Sequence, residues 1–158
     1  MRPPRVSSAT WREGFHRFYR LLRRIEPGIS RFLARRPIGD TVEVEIVGRR
    51  SGRVRPVVLG LLVVGGRWYI GHPVGETAWT RNLDAAGEAT VVLPRRRRVA
   101  VRSIPLGRGP ERDAAIGATF RQHPFPGNLM YWLSRRNLAE VGRYYRLEPL
   151  DGSTPPIA

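Results

Sequence analysis

From residue 42 the chain alternates. Val42, Val44 and Ile46 are apolar, and Glu43 and Glu45 between them are charged. A period of two puts successive side chains on opposite faces of an extended segment, so this stretch predicts a half-buried strand. Residues 55–64 are almost continuously apolar and β-branched after Arg55, interrupted at Gly60. That pattern predicts a single, more deeply buried strand. Gly65-Gly66 is a two-residue hairpin signal, and residues 67–71 form the return strand, with Trp68 and Ile70 facing opposite to Tyr69. Residues 89–93 and 99–104 read as a second hairpin around 94–98, and residues 143–150 as a final strand.

Helical spacing governs the rest. Residues 1–9 read as a tail. Thr10 can cap a helix over 10–26, in which Trp11, Phe15, Phe18, Leu22 and Ile25 form an apolar stripe beside Arg12, Arg17, Arg20, Arg23 and Arg24. Pro27-Gly28 ends it, and a short helix follows over 29–35. Further helices are expected at 77–86, stopped by Gly87, at 110–122 with proline in the first turn, and at 128–141 after a break at 123–127. Residues 151–158 read as a tail. The expected fold is therefore mainly β (α+β): one domain over residues 1–158, a six-stranded antiparallel sheet with an N-terminal helical segment at 10–36 and peripheral helices. Strands linked by hairpins argue against a doubly wound sheet, and closure into a barrel would remove exposed edges.

Composition adds a charge. Among 158 residues, 28 basic side chains face 13 acidic ones, a net +15, and every basic residue is arginine. Such a field attracts phosphates, polycarboxylates, nucleic acid or lipid headgroups. With no cysteine, disulfides, zinc–thiolate sites and a thiol nucleophile are excluded. No apolar run approaches the roughly 20 residues of a membrane-spanning helix, and the N-terminus lacks a signal-peptide core. A cytoplasmic protein is expected, with peripheral membrane contact through the 10–26 helix as a further expectation.

Two segments carry candidate chemistry. Gly48-Arg49-Arg50-Ser51-Gly52-Arg53-Val54-Arg55 lies between two predicted strands. A glycine-bounded turn can aim backbone N–H groups at one point, and arginines add forked donors for phosphate or carboxylate; the competing reading is a solvated basic hairpin. The second segment, Gly71-His72-Pro73 through Trp79, Asn82 and Leu83, runs from a loop into a helix. A helix start suits an anion, Trp79 can stack on a flat ring and Asn82 can bond a heterocycle edge. Alternatively, Trp79 and Leu83, four residues apart, are the core face of that helix.

As a pair, G-R-x-S-G-x-x-R followed some 25 residues later by W-x-x-N-L-x-A-x-G, these segments resemble the deazaflavin-dependent nitroreductase family, from about Val42 to Leu93 and more weakly to Leu150. The resemblance implies a split β-barrel and the cofactor F420, an 8-hydroxy-5-deazaflavin with a phosphodiester and an oligoglutamate tail; FMN is the alternative, because related barrels use it. It places Arg49, Arg50 and Arg55 along the acidic tail, with Ser51 and Gly52 in the same turn. It places Val57, Val58 and Leu59, then Gly71 and His72, around the ring, and Trp79 and Asn82 on the flanking helix. Tyr131 and Trp132 fall where relatives set aromatic residues over the substrate pocket. Relatives often have proline at the position of Val58 and a lysine near that of His72. The implied activity is hydride transfer from the reduced cofactor to a small electron-poor acceptor (a quinone, an enone or a nitro compound), and a homodimer is expected.

No acid or base can be named. His16, His72 and His123 lack metal-ligand spacing, so no metal is expected. Ser51 lacks a nucleophile elbow. Arg95–Arg98 marks a hairpin tip. A competing reading, a non-enzymatic polyanion binder (nucleic acid or an anionic membrane), explains the charge but not the paired motifs, so nucleic acid is not the expected partner.

Overall fold

The computed structural model describes residues 41–73, 75–123, 127–133 and 135–152. The chain divides into two compact units, Met1–Arg36 and Pro37–Ala158, and every described residue belongs to the second. The helices expected at 10–26 and 29–35 lie outside the described residues.

Seven strands form one antiparallel sheet: β1 (Thr41–Val47), β2 (Val54–Gly60), β3 (Leu62–Val64), β4 (Arg67–His72), β5 (Glu88–Val92), β6 (Arg98–Pro105) and β7 (Arg143–Pro149). Four helices accompany them: α1 (Ala78–Ala86), α2 (Pro110–Gln122), α3 (Gly127–Leu133) and α4 (Arg135–Val141). The spatial order is β2-β1-β5-β6-β7-β4-β3. The sheet curls into a split β-barrel with peripheral helices, the expected class.

The single strand expected over 55–64 is two. Its first half pairs with β1, Val44 opposite Val57, and its second half pairs with β4, Val63 opposite Trp68. One bent run thus supplies both ends of the strand order, so six predicted runs give seven strands. The expectation of deep burial fails in the first half: Val54, Arg55 and Pro56 are exposed and Val57 and Val58 only half-buried. Hydrophobicity does not distinguish an edge strand from a central one, and β2 is an edge strand.

Elsewhere alternation decides the packing. In β1, Val42, Val44 and Ile46 are buried while Glu43 and Glu45 are half-buried. Trp68 and Ile70 enter the barrel core with Leu83, Val91, Val99, Val101, Tyr145 and Leu147. Tyr69 faces the other way, into a second cluster with Leu62, Ala115, Ala118, Leu138 and Tyr144 under α2 and α4. Each fully buried Val, Leu or Ile contributes about 1.5–3 kcal/mol. Gly65 and Gly66 turn β3 into β4 with φ of 55° and 73°, the left-handed pair that a two-residue hairpin requires.

The helix expected over 128–141 is borne out in its described residues, Gly127–Leu133 and Arg135–Val141. Arg112, buried on α2, donates to the carbonyls of Leu138 at 3.0 Å, Ala139 at 3.0 Å and Gly142 at 2.7 Å. These carbonyls lie at and just past the C-terminal end of α4, where Leu138 O also accepts the Gly142 N–H at 3.0 Å, so a buried charge is satisfied by a helix C-terminus and fixes the entry into β7. No helix among the described residues is long and apolar enough to cross a membrane.

Glu111, in the first turn of α2, accepts from Arg146 at 2.8 and 3.0 Å and from the Tyr69 hydroxyl at 3.0 Å, tying α2 to β7 and β4. The Arg146 hydrogen bond leads in holding its carboxyl below the usual glutamate range, against a smaller opposing effect of burial. The folded state therefore binds fewer protons here than the unfolded chain. The stabilisation is fully present above the unfolded glutamate pKa of about 4.3 and is lost as pH falls through the lower folded value. Comparing melting temperatures at neutral and acidic pH, Glu111→Gln is expected to lower stability at neutral pH and to lose less than the wild type on acidification. An unchanged pH slope would count against this network.

Candidate functional site

The two segments singled out in the sequence meet. The β1–β2 turn is closed by Gly48 N–H donating to Arg53 O at 2.8 Å and Gly52 N–H donating to Gly48 O at 2.8 Å. Gly48 is needed because a Cβ there would lie 2.8 Å from Ser51 Oγ, and Gly52 because its φ is +62°. From this turn Arg49 reaches α1: its side chain donates to Asn82 Oδ1 at 3.0 Å and its backbone N–H to the same oxygen at 3.3 Å.

The turn is not an N–H cradle. Ser51 N–H also donates to Gly48 O, and Arg53 N–H to Ser51 Oγ, so with Gly48, Arg49 and Gly52 already engaged only the Arg50 N–H is left over among the turn's backbone donors, and one N–H is no cradle. An anion at this place has to be held by side chains. Arg50, Arg53 and Arg55 are exposed, and no carboxylate among the described residues pairs with them.

The start of α1 is partly satisfied by its own cap. Thr77 caps it, with Thr80 N–H donating to Thr77 Oγ1 and Thr77 N–H to Thr80 Oγ1 in a reciprocal box. Glu76 stands just before it, 3.4 Å from Arg143 and 3.9 Å from Arg81. Glu76 thus stands as a competing carboxylate beside the helix start, itself held by two arginines. Trp79 is 8% exposed, with His72 edge-on at 5.8 Å and Tyr145 tilted at 6.0 Å. With Leu83 it forms the core face of α1, and its indole N–H is buried with no acceptor among the described residues.

Val57, Val58 and Leu59 lie on β2, passing from half-buried to buried. Gly71 and His72 end β4, which also touches β2. Gly71 is opposite Tyr144 in the register. The aromatics expected over a pocket lie apart from this turn: Tyr131 packs at 4.7 Å against His123 beside the second cluster, and Trp132 is 52% exposed under the Arg135 guanidinium at 4.4 Å.

Sequence reasoning missed a cavity of about 430 Å³ between the end of α1, the end of β6 and the start of β7. Asp84 on α1 accepts from the Tyr145 hydroxyl at 2.9 Å and pairs with Arg143. Burial, reinforced by the Asp84 hydrogen bond, pushes the Tyr145 phenol up to about 12, so it remains a donor throughout the physiological range. One signal was legible: Ser103 continues the inward row of Val99 and Val101, where a hydroxyl is out of pattern.

The fold defines the class of a split β-barrel. No family model matches the chain, and no curated protein matches it. Among solved structures, an F420-H2 dependent reductase is similar at 16% identity, over 69% of this chain and 94% of that one, with a TM-score of 0.54. HutZ, the heme storage protein from Vibrio cholerae, is similar at 14% identity, over 79% and 89%, with a TM-score of 0.52. Atu2129 from Agrobacterium tumefaciens, of unknown function, is similar at 16% identity, over 74% of this chain and with a TM-score of 0.51; the chain spans about half of its length (53%). These likenesses establish the fold.

Proposed function

We propose that the protein is a deazaflavin-dependent oxidoreductase that takes F420 as its cofactor. The observation that carries the reading is the Arg49–Asn82 link. It sets the arginine turn beside α1 and leaves Arg50, Arg53 and Arg55 exposed without carboxylate partners among the described residues. The likeness in fold to an F420-H2 dependent reductase supports it.

The donor set fits the group. A phosphodiester and several carboxylates need forked donors along an exposed edge, and three unpaired guanidiniums stand on one turn and its outgoing strand. Arg50, Arg53 and Arg55 would hold the tail. Arg49 and Asn82 would fix the turn, while Val57, Val58 and Leu59, with Gly71 and His72, would border the ring. Trp79 would support that border from the core rather than stack as an open platform. When bound in its reduced form the cofactor supplies a hydride for an electron-poor acceptor. The chain's part is to bind, orient and exclude water, and no side chain is assigned as acid or base.

Titration of the purified protein with oxidised and reduced deazaflavin tests the reading. Saturable binding of F420 that outcompetes FMN is expected. No binding of either, or preferential binding of heme, would overturn it.

A further inference from the structure

The cavity at the end of α1 is a separate feature. Two residues along a helix correspond to a rotation of about 200°, so Asn82, which meets the arginine turn, and Asp84, which lines the cavity, stand on opposite flanks of α1. The walls are mostly apolar, with Leu83, Pro105 and Leu106 among them, and Asp84, Ser103 and Arg143 supply the polar lining. Its volume is within the range of small-molecule pockets.

Its polar groups point to one chemistry. Ser103 is 8% exposed and lines the cavity, and its hydroxyl has no hydrogen-bond partner among the described residues. A polar side chain in the inward row of β6, after Val99 and Val101, breaks the core pattern without an internal reason, which marks a ligand contact. The charged donors around the cavity already face carboxylates or carbonyls. Tyr145 donates to Asp84, Arg143 pairs with Asp84 and Glu76, and Arg112 behind Gly142 is spent on three carbonyls. Acceptor capacity remains: each Asp84 oxygen takes one donor among the described residues, where a carboxylate oxygen can take two. The last turn of α1 has no basic side chain, so the negative end of that helix is unopposed from its own sequence. A carboxylate ligand would meet Asp84 as a like charge.

We propose that this cavity is a binding site for a small organic cation, an ammonium group on an apolar body. The ammonium donates to Asp84 and Ser103, and the body lies against Leu83, Pro105 and Leu106. The site is independent of the cofactor reading and of the arginine turn.

The distinguishing feature is its salt dependence. The net +15 of the chain repels a cation at long range, and salt screens that repulsion. Binding to the local acceptors should then hold or strengthen as salt is raised, whereas an anion on the arginine turn should weaken.

Calorimetric titration of the full chain with 2-phenylethylammonium, and with 3-phenylpropionate as an anion of similar size, tests the site. The ammonium is expected to bind saturably, at least tenfold more tightly than the carboxylate, with no loss from low to high salt. Ser103→Val, which restores the apolar row and fills the space, should cost at least tenfold while keeping or raising the melting temperature. Should that variant fail to fold, Ser103→Ala keeps the cavity open and should still weaken binding measurably. No saturable binding, equal or tighter binding of the carboxylate, or unchanged affinity in the folded serine variant would overturn the proposal. None of these results alters F420 binding, which is scored separately.

Discussion

Arg50→Ala is expected to weaken F420 binding by tenfold to a hundredfold while leaving the melting temperature nearly unchanged. Arg50 is exposed at the tip of the β1–β2 turn and pairs with no carboxylate among the described residues, so its removal leaves nothing unsatisfied in the fold. A lost charge-assisted hydrogen bond is worth about 1.5–3 kcal/mol, which gives that range of affinity. Part of the loss should disappear at high salt, where exposed charges are screened. Arg96→Ala is the control. Arg96 is equally exposed, on the tip between β5 and β6, with a φ of 57°. A cofactor site predicts that Arg50 matters far more than Arg96. A general polyanion binder predicts equal effects and full competition by DNA, and that result would defeat the assignment of the turn.

The largest effect on stability is expected from Gly71→Ala. A Cβ at Gly71 would lie 2.8 Å from Cζ of Tyr144, with two other ring carbons closer still. The ring cannot swing away: Tyr144 is 2% exposed, its hydroxyl is 2.9 Å from Thr119 Oγ1, and burial pushes its phenol up to about 12. Overpacking of this kind costs about 1–3 kcal/mol, occasionally more, a fall of several degrees in Tm. Combining it with Tyr144→Ala should cost less than the sum of the two single changes, since the clash exists only while the ring is present. Strict additivity in denaturant melts would mean that the two positions do not meet. The resemblance placed Gly71 beside the cofactor ring; the packing gives it a structural duty whether or not a cofactor is bound.

Much of the barrel was legible because period and punctuation agree in it. The helix at 110–122, the Gly65-Gly66 turn and the Gly87 stop follow from local rules that tertiary contacts do not overrule. The break of 55–64 was not legible. Gly60 marks it, but only the pairing of one half with β1 and the other with β4 turns a glycine into a corner. The arginine turn and α1 were identified as a pair, while the way they join was not, because a hydrogen bond across 33 residues has no sequence signature. The cap of α1 is a local feature that the sequence reading passed over: Thr77 and Thr80, three residues apart, form a reciprocal box. The Asp84 cavity was missed because Asp84, Ser103 and Arg143 come from three distant segments. Only the polar break at Ser103 announced it.

The position of β7 has a consequence for the order of assembly. It is the last of the described strands in sequence, yet it lies between β6 and β4 in the sheet, with Trp68 opposite Leu147. Until residues 143–149 are synthesised, β6 and β4 each present an unpaired edge, and the hairpin of β3 and β4 has no sheet to join. Pairings that distant in sequence form slowly, and bare edges recruit other chains. A chain stalled or cleaved ahead of Arg143 therefore exposes two adhesive edges at once, which makes completion of the C-terminal strand the step that separates a soluble product from an aggregating one.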